Sequence, residues 1–247
     1  MRLTNKLLII FSGTLLISFY ANAQLFQAQI SGGINLAQVE GDEVSGFWKP
    51  GFMGGVGVMM PLKPSKLTAP WRASLELLYS QRGAYEKMPT GVKAPFGYSL
   101  NLQFVDIPVM IHYKDPQLDL MFGLGLQYGR LFNIINEKWR LPDTAKVGWY
   151  RPVDTANMPA FNRNEFAIVV DCRIGIWQRL KCSLRWQYGL NSIRSRVSFY
   201  NGTTAGSSGS YIVERDYHNH WLSLRIIYVF NERLTKDKDR RIKRNLY

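Results

Sequence analysis

Between Leu118 and Leu131 the chain reads LDLMFGLGLQYGRL, and alternate residues fall into two sets. Leu118, Leu120, Phe122, Leu124, Leu126 and Tyr128 are large and apolar, whereas Asp119, Met121, Gly123, Gly125, Gln127 and Gly129 are mostly small or polar. A period of two belongs to a β-strand, whose side chains point alternately to opposite faces. In a soluble sheet the second face would carry Lys, Glu and Thr. Here it is rich in glycine, as expected where side chains share a narrow interior. The segment therefore predicts a transmembrane β-strand, with lipid on one side and a filled lumen on the other.

Seven further segments repeat the pattern. Gln24–Leu36 places Phe26, Ala28, Ile30, Ile34 and Leu36 opposite Gln27, Gln29, Ser31 and Asn35. Gly51–Met60 sets Phe52, Val56, Val58 and Met60 against Met53, Gly55 and Gly57. From Trp71, the stripe Trp71, Ala73, Leu75, Leu77 and Tyr79 faces away from Arg72, Ser74, Glu76, Ser80 and Arg82. Glu165–Trp177, Lys181–Asn191 and His220–Phe230 behave alike, with Asp171, Arg173, Arg185 and Arg225 on the inner face. In Tyr98–Tyr113 the apolar set changes parity, from Tyr98, Leu100, Leu102 and Phe104 to Val105, Ile107, Val109, Ile111 and Tyr113. With all apolar residues assigned to lipid, this change predicts a β-bulge near Pro108, which cannot donate to a ladder.

The connectors alternate long and short, the arrangement of outer-membrane barrels with long extracellular loops and short periplasmic turns. Outward aromatics expected at the interfaces are Trp71, Tyr79, Tyr98, Tyr113, Tyr128, Tyr188 and Tyr228. The fold class expected is all-β: an eight-stranded antiparallel transmembrane up-and-down barrel over residues 24–230. Residues 1–23 form a secretory signal, with Arg2 and Lys6 before the apolar run Leu7–Phe19 and Ala21-Asn22-Ala23 at the cleavage site. The run is shorter than the roughly 20 residues of a spanning helix. Both termini are expected in the periplasm. Residues 231–247 form a basic tail, with Arg233, Lys236, Lys238, Arg240, Arg241, Lys243 and Arg244 against Glu232, Asp237 and Asp239.

The segments GGINLAQVEGDEVSGFWKPGFMGGVGVMMPL, LELLYSQRGAY, LQFVDIPVMIHYK and LMFGLGLQYGRLF resemble the PorT-like outer-membrane barrels of the Bacteroidetes-type envelope. The piece Phe104, Asp106, Ile107, Pro108 is the most distinctive. The resemblance implies a small outer-membrane barrel and, through the family's namesake, a link to type IX protein secretion. It departs at the end, where such barrels often stop on a terminal aromatic (here Phe230) and this chain continues to Tyr247.

An eight-stranded barrel has room for its own side chains and little more. Arg72, Glu76, Arg82, Asp119, Asp171, Arg173, Arg185 and Arg225 are therefore expected to form a structural lumenal charge network, because unpaired buried charge is costly. The glycines of Gly51–Met60 and Leu118–Leu131 lack the Lys-Ser/Thr of a phosphate loop. His112 is expected to be structural. His218 and His220 share a face near Glu214 and Asp216, but a third metal ligand with suitable spacing is missing. Ser207–Ser210 suits a flexible loop better than a nucleophile. No catalytic, cofactor or metal site is expected. Cys172 and Cys182 face lipid beside one turn, and both the disulfide and the dithiol stay open.

The net charge is +13. In this compartment it suits lipopolysaccharide phosphates, through Lys138, Arg140, Lys146, Arg151, Arg163, Arg194 and Arg196, and not nucleic acid. Arg240, Arg241, Lys243 and Arg244 are candidate docking residues for a protein partner of an envelope complex. The leading expectation is a non-enzymatic scaffold or accessory subunit. The alternative is a barrel whose loops bind an external ligand, lipopolysaccharide or a host protein.

The face assignment is testable in membranes. Leu124→Arg should cost roughly 2–4 kcal/mol of assembly stability by placing a charge in lipid, whereas Gln127→Arg on the lumenal side should be limited by space and pairing and assemble better. Assembly yield in vesicles separates the two, and equal tolerance would reverse the assignment.

Overall fold

Repeated period-two alternation leaves each strand with one apolar face and one face that cannot meet lipid, and closing the sheet on itself satisfies both. The computed structural model describes residues 26–42, 46–62, 70–85, 97–115, 118–140, 151–152, 158–177, 179–201 and 211–230. The expected signal over residues 1–23, Ser207–Ser210 and the segment with Arg240, Arg241, Lys243 and Arg244 lie outside the described residues. The strands are β1 (Gln27–Glu40), β2 (Lys49–Pro61), β3 (Trp71–Tyr85), β4 (Gly97–Lys114) and β5 (Leu120–Arg140). The short β6 (Arg151–Pro152) is followed by β7 (Asn164–Trp177), β8 (Leu180–Gly189), β9 (Arg194–Asn201) and β10 (Tyr211–Val229). Among the described residues no helix is long and apolar enough to cross a membrane.

Eight strands form the ring in the order β1-β2-β3-β4-β5-β7-β8-β10, closed by the antiparallel pairing of β10 with β1. Strands β9 and β6 extend the sheet beside the upper part of β10. Paired residues can be followed around the ring: Ala28, Val58, Leu75, Val109, Leu126, Ile168, Tyr188, His220, and back to β1 at Gln38. The circuit thus returns ten residues further along β1. Such a stagger goes with strands tilted by roughly 35–45° and an interior that side chains fill.

The apolar belt spans Trp71–Tyr79, Val105–Tyr113 and Leu120–Tyr128 on consecutive strands, nine residues in each. A tilted strand needs about 9–11 residues to cross the hydrocarbon. Above the belt, away from the termini, outward polar side chains bond one another in a collar. Gln81 and Gln103 each donate to Tyr79 Oη at 2.7 Å, and Asn133 donates to Gln103 at 2.8 Å. Further round, Tyr128 donates to Asn164, and Tyr188 and His220 both meet Glu40.

Beyond the collar the strands continue as a crown. Here β1 runs to Glu40 and β5 to Arg140, β10 starts at Tyr211, and β9 forms where the sequence suggested only a connector. The crown corrects the parity assignment of β4. Tyr98, Leu100, Leu102 and Phe104 point inward, almost wholly buried, while Val105, Ile107, Val109, Ile111 and Tyr113 point outward. The strand keeps one parity throughout, and what changes is its surroundings. Above the collar the outer face meets water, so apolar side chains turn in. Tyr98 accordingly leaves the outward girdle. Irregularities do occur at this level, but they lie on β5, where the ladder skips Ile135 and Phe132. The inward residues pack with Val39, Ala84, Leu131, Ile193, Val197, Phe199 and Tyr217 into an apolar core.

Single cysteines on a background lacking Cys172 and Cys182 test this reversal. Ser99→Cys, on the outer face above the collar, should react with a water-soluble maleimide on intact vesicles at least tenfold faster than Leu100→Cys. Protection of both would return Leu100 to lipid and Ser99 to the lumen.

Candidate functional site: the lumen and its closure

Three layers occupy the interior. At the rim nearest the termini, Arg72 donates to Gln27 Oε1 at 2.7 Å. Lys114 Nζ lies 2.8 Å and Lys181 Nζ 3.9 Å from Asp119 Oδ1. Partial burial opposes ionisation of Asp119, but the two ammonium groups hold its carboxyl below the ordinary range. One step inward, His112 Nε2 and Ser74 Oγ share a hydrogen bond of 2.7 Å.

The middle layer is a compact ion cluster. Glu76 contacts Arg173 at 2.7 Å, Arg185 at 3.1 Å and Arg225 at 2.9 Å. Asp171 meets the same three arginines at 2.6, 3.2 and 3.0 Å, and accepts a hydrogen bond from Ser183. Gln29 donates to Glu76 and accepts from Arg173. These side chains come from β1, β3, β7, β8 and β10, so the cluster ties together strands far apart around the ring. Three cations against two anions leave a positive surplus.

Arg82 forms the third layer. It lies 2.5 Å from Asp106 and 3.2 Å from Glu165, with its guanidinium carbon 3.9 Å from the centre of the Phe104 ring and 3.8 Å from that of Trp221. One cation faces two carboxyl groups here, so the two upper layers together hold four buried arginines and four buried carboxyl groups. The aromatic sandwich around Arg82 marks the passage from the polar lumen to the apolar core of the crown. Over that core Arg194 forms a bidentate pair with Glu137 at 2.6 and 2.9 Å and covers the Phe161 ring, bridging β9 to β5.

The structure thus brings Glu76, Asp171, Arg173, Arg185 and Arg225 together, sets Arg82 apart above them, and puts Arg72 and Asp119 at the rim. Sequence reading passed over Asp106 and Glu165 as partners of Arg82. A signal was present in the inward glycines. A Cβ at Gly129 would press on Asp106, one at Gly189 on Glu165, and one at Gly123 would collide with the His112 ring. Each glycine leaves the volume that a polar side chain on a neighbouring strand occupies.

Among the described residues no group of three or more His, Cys, Asp or Glu is arranged to hold a metal. His220 Nε2 lies 3.2 Å from Glu40, and His218 Nδ1 3.3 Å from the Gly189 carbonyl. Cys172 and Cys182 are both free; they pair with Leu184 and Ile174, offset by one diagonal step.

Residues 22–195 match the family described as outer membrane protein beta-barrel domain. The chain belongs to that family. It is an integral outer-membrane barrel, and its apolar belt is the surface that meets lipid. No curated protein matches the chain. Among solved structures it is similar to Ail, the attachment invasion locus protein of Yersinia pestis, with 11% identity, 83% of this chain and 99% of that chain covered, and a TM-score of 0.40. Neisserial surface protein A shows 10% identity, coverage of 83% and 97%, and a TM-score of 0.41. A major outer membrane protein from Thermus thermophilus shows 14% identity, coverage of 83% and 99%, and a TM-score of 0.41.

The cluster makes a sharp stability prediction. Glu76→Gln removes one of two anions facing three buried arginines and should cost about 3–5 kcal/mol. Asp119→Asn at the half-exposed rim should cost less than about 1 kcal/mol. Urea unfolding from lipid vesicles reads both, and equal losses would show that the cluster is not the stabilising layer.

Proposed function

We propose that this barrel is a non-conducting, non-enzymatic scaffold or accessory subunit of an envelope complex. The observation that carries the reading is the filling of the lumen, layer upon layer, by ion-paired and then apolar side chains. A barrel built in this way acts through its surfaces, not through a channel. The PorT-like resemblance makes the type IX protein secretion machinery the first complex to examine. In this reading both termini are periplasmic. The tail with Arg240, Arg241, Lys243 and Arg244 then docks on an acidic partner, and the exposed Lys138 and Arg163 contact lipopolysaccharide phosphates, whereas Arg194, expected to join them, is buried against Glu137 and Phe161. A second reading, display of a ligand-binding surface outside the cell, is favoured by the crown, whose own apolar core gives it a defined shape beyond the membrane.

Deleting Lys236–Tyr247 should leave the heat-modifiable barrel intact, since the described barrel ends at Phe230. Copurification of periplasmic partners from native membranes should fall at least fivefold. The remaining contact should weaken further with salt, because Lys and Arg contacts are screened. Single-channel recordings of the full chain should show no steady conductance. An unchanged partner set in the truncated strain would remove the docking role, and reproducible large channels from verified monomers would remove the closed-lumen basis.

A further inference from the structure

Two open clefts adjoin each other on the outer side of the crown just above the collar, with volumes of about 470 and 560 Å3, and Arg196 and Glu214 line both. We propose that this double cleft binds a neutral saccharide, an inference that deepens the second reading above.

The ridge between the clefts is built deliberately. Arg196 has φ 55°, in the left-handed region that non-glycine residues rarely adopt. It sits where the β9–β10 register shifts, and its N–H donates to Asp216 Oδ1 at 2.8 Å. Such strained positions persist only when neighbours hold them, and they gather at functional sites. Neither the Arg196 guanidinium nor the Glu214 carboxylate has a partner among the described residues. By contrast Arg194, two residues away, is paired with Glu137 and covers Phe161. A cation and an anion thus stand exposed at the lip of the same two cavities.

The lining selects the ligand by chemistry. Acceptors come from Glu214, which both clefts share, and from Glu40 and Asp216 in one of them, and donors from Arg196, Arg215 and the Asn162 amide. Three carboxylates disfavour a phosphate or sulfate, and the arginines disfavour a simple cation. A sugar hydroxyl donates and accepts at once and brings no charge to desolvate, so it suits both groups. Phe161 in one cleft and Tyr188 in the other offer apolar surface for the C–H face of a sugar ring. Each volume falls within the roughly 300–1,000 Å3 of small-molecule sites. A saccharide here is either part of the membrane's own outer-leaflet oligosaccharide or a foreign glycan.

Saturation-transfer NMR on the full chain in detergent micelles tests the site. The probes are neutral disaccharides, their sulfated counterparts, and the delipidated core oligosaccharide of the membrane that carries the protein. Saturable binding of neutral sugars is expected, weakened at least fivefold by Glu214→Gln and by Arg196→Gly. Glycine tolerates the left-handed backbone, so Arg196→Gly should keep the heat-modifiable fold and lose only the guanidinium. Competition by the core oligosaccharide identifies the source as the envelope, and its failure to compete identifies a foreign glycan. The proposal is overturned if neutral sugars do not bind, if both variants bind like the wild type, or if sulfated sugars bind better. A crown that captures a protein yet no sugar overturns the saccharide assignment while leaving the display role in place.

Discussion

Everything in this molecule depends on the ladder between β1 and β10. Inside a bilayer an unpaired backbone amide has no water to turn to, so an open sheet edge is not tolerated. Pairing from Gln29 with Val229 up to Glu40 with His218 removes the edge and fixes the circumference. Once closed with a ten-residue stagger, the ring has an interior set by geometry, and the inward residues must fill it with what the sequence supplies.

That filling explains the arrangement of charge. An ion removed from water is tolerated only with partners at close range. Glu76 and Asp171 each serve three arginines, an economy that lets two carboxylates from β3 and β7 neutralise most of the charge of three cations. One layer higher the proportion reverses, where a single Arg82 stands between Asp106 and Glu165. Inward glycines belong to the same solution, since a narrow lumen holds large polar groups only where neighbouring strands withhold their own side chains.

Within the belt the sequence was almost fully legible, because lipid enforces a strict division. Trp71–Tyr79 and Leu120–Tyr128 declare their outward faces residue by residue, and Arg173, Arg185 and Arg225 their inward ones. Legibility failed where that division reverses. Tyr98, Leu100, Leu102 and Phe104 are as apolar as any lipid-facing set, and nothing local says that water lies outside them. β9 was missed for a related reason: in RSRVSFYN the inward Val197 and Phe199 are too few to stand out among polar neighbours. Asp106 was visible inside its motif, but its role needed Arg82 of β3 and Glu165 of β7, brought alongside only by the ring.

The reversal along β4 also settles how deeply the protein sits. A strand whose odd residues are apolar below one level and whose even residues are apolar above it cannot slide along its axis without penalty. Moving it two residues toward the termini would keep every face correct, yet would lower Phe104 to the depth of Asp106 and carry the collar residue Gln103 into hydrocarbon. Moving it the other way would lift Val105 into water. The chain thus carries its own plimsoll line, set where two solvents meet, and the crown is held at one height above the lipid.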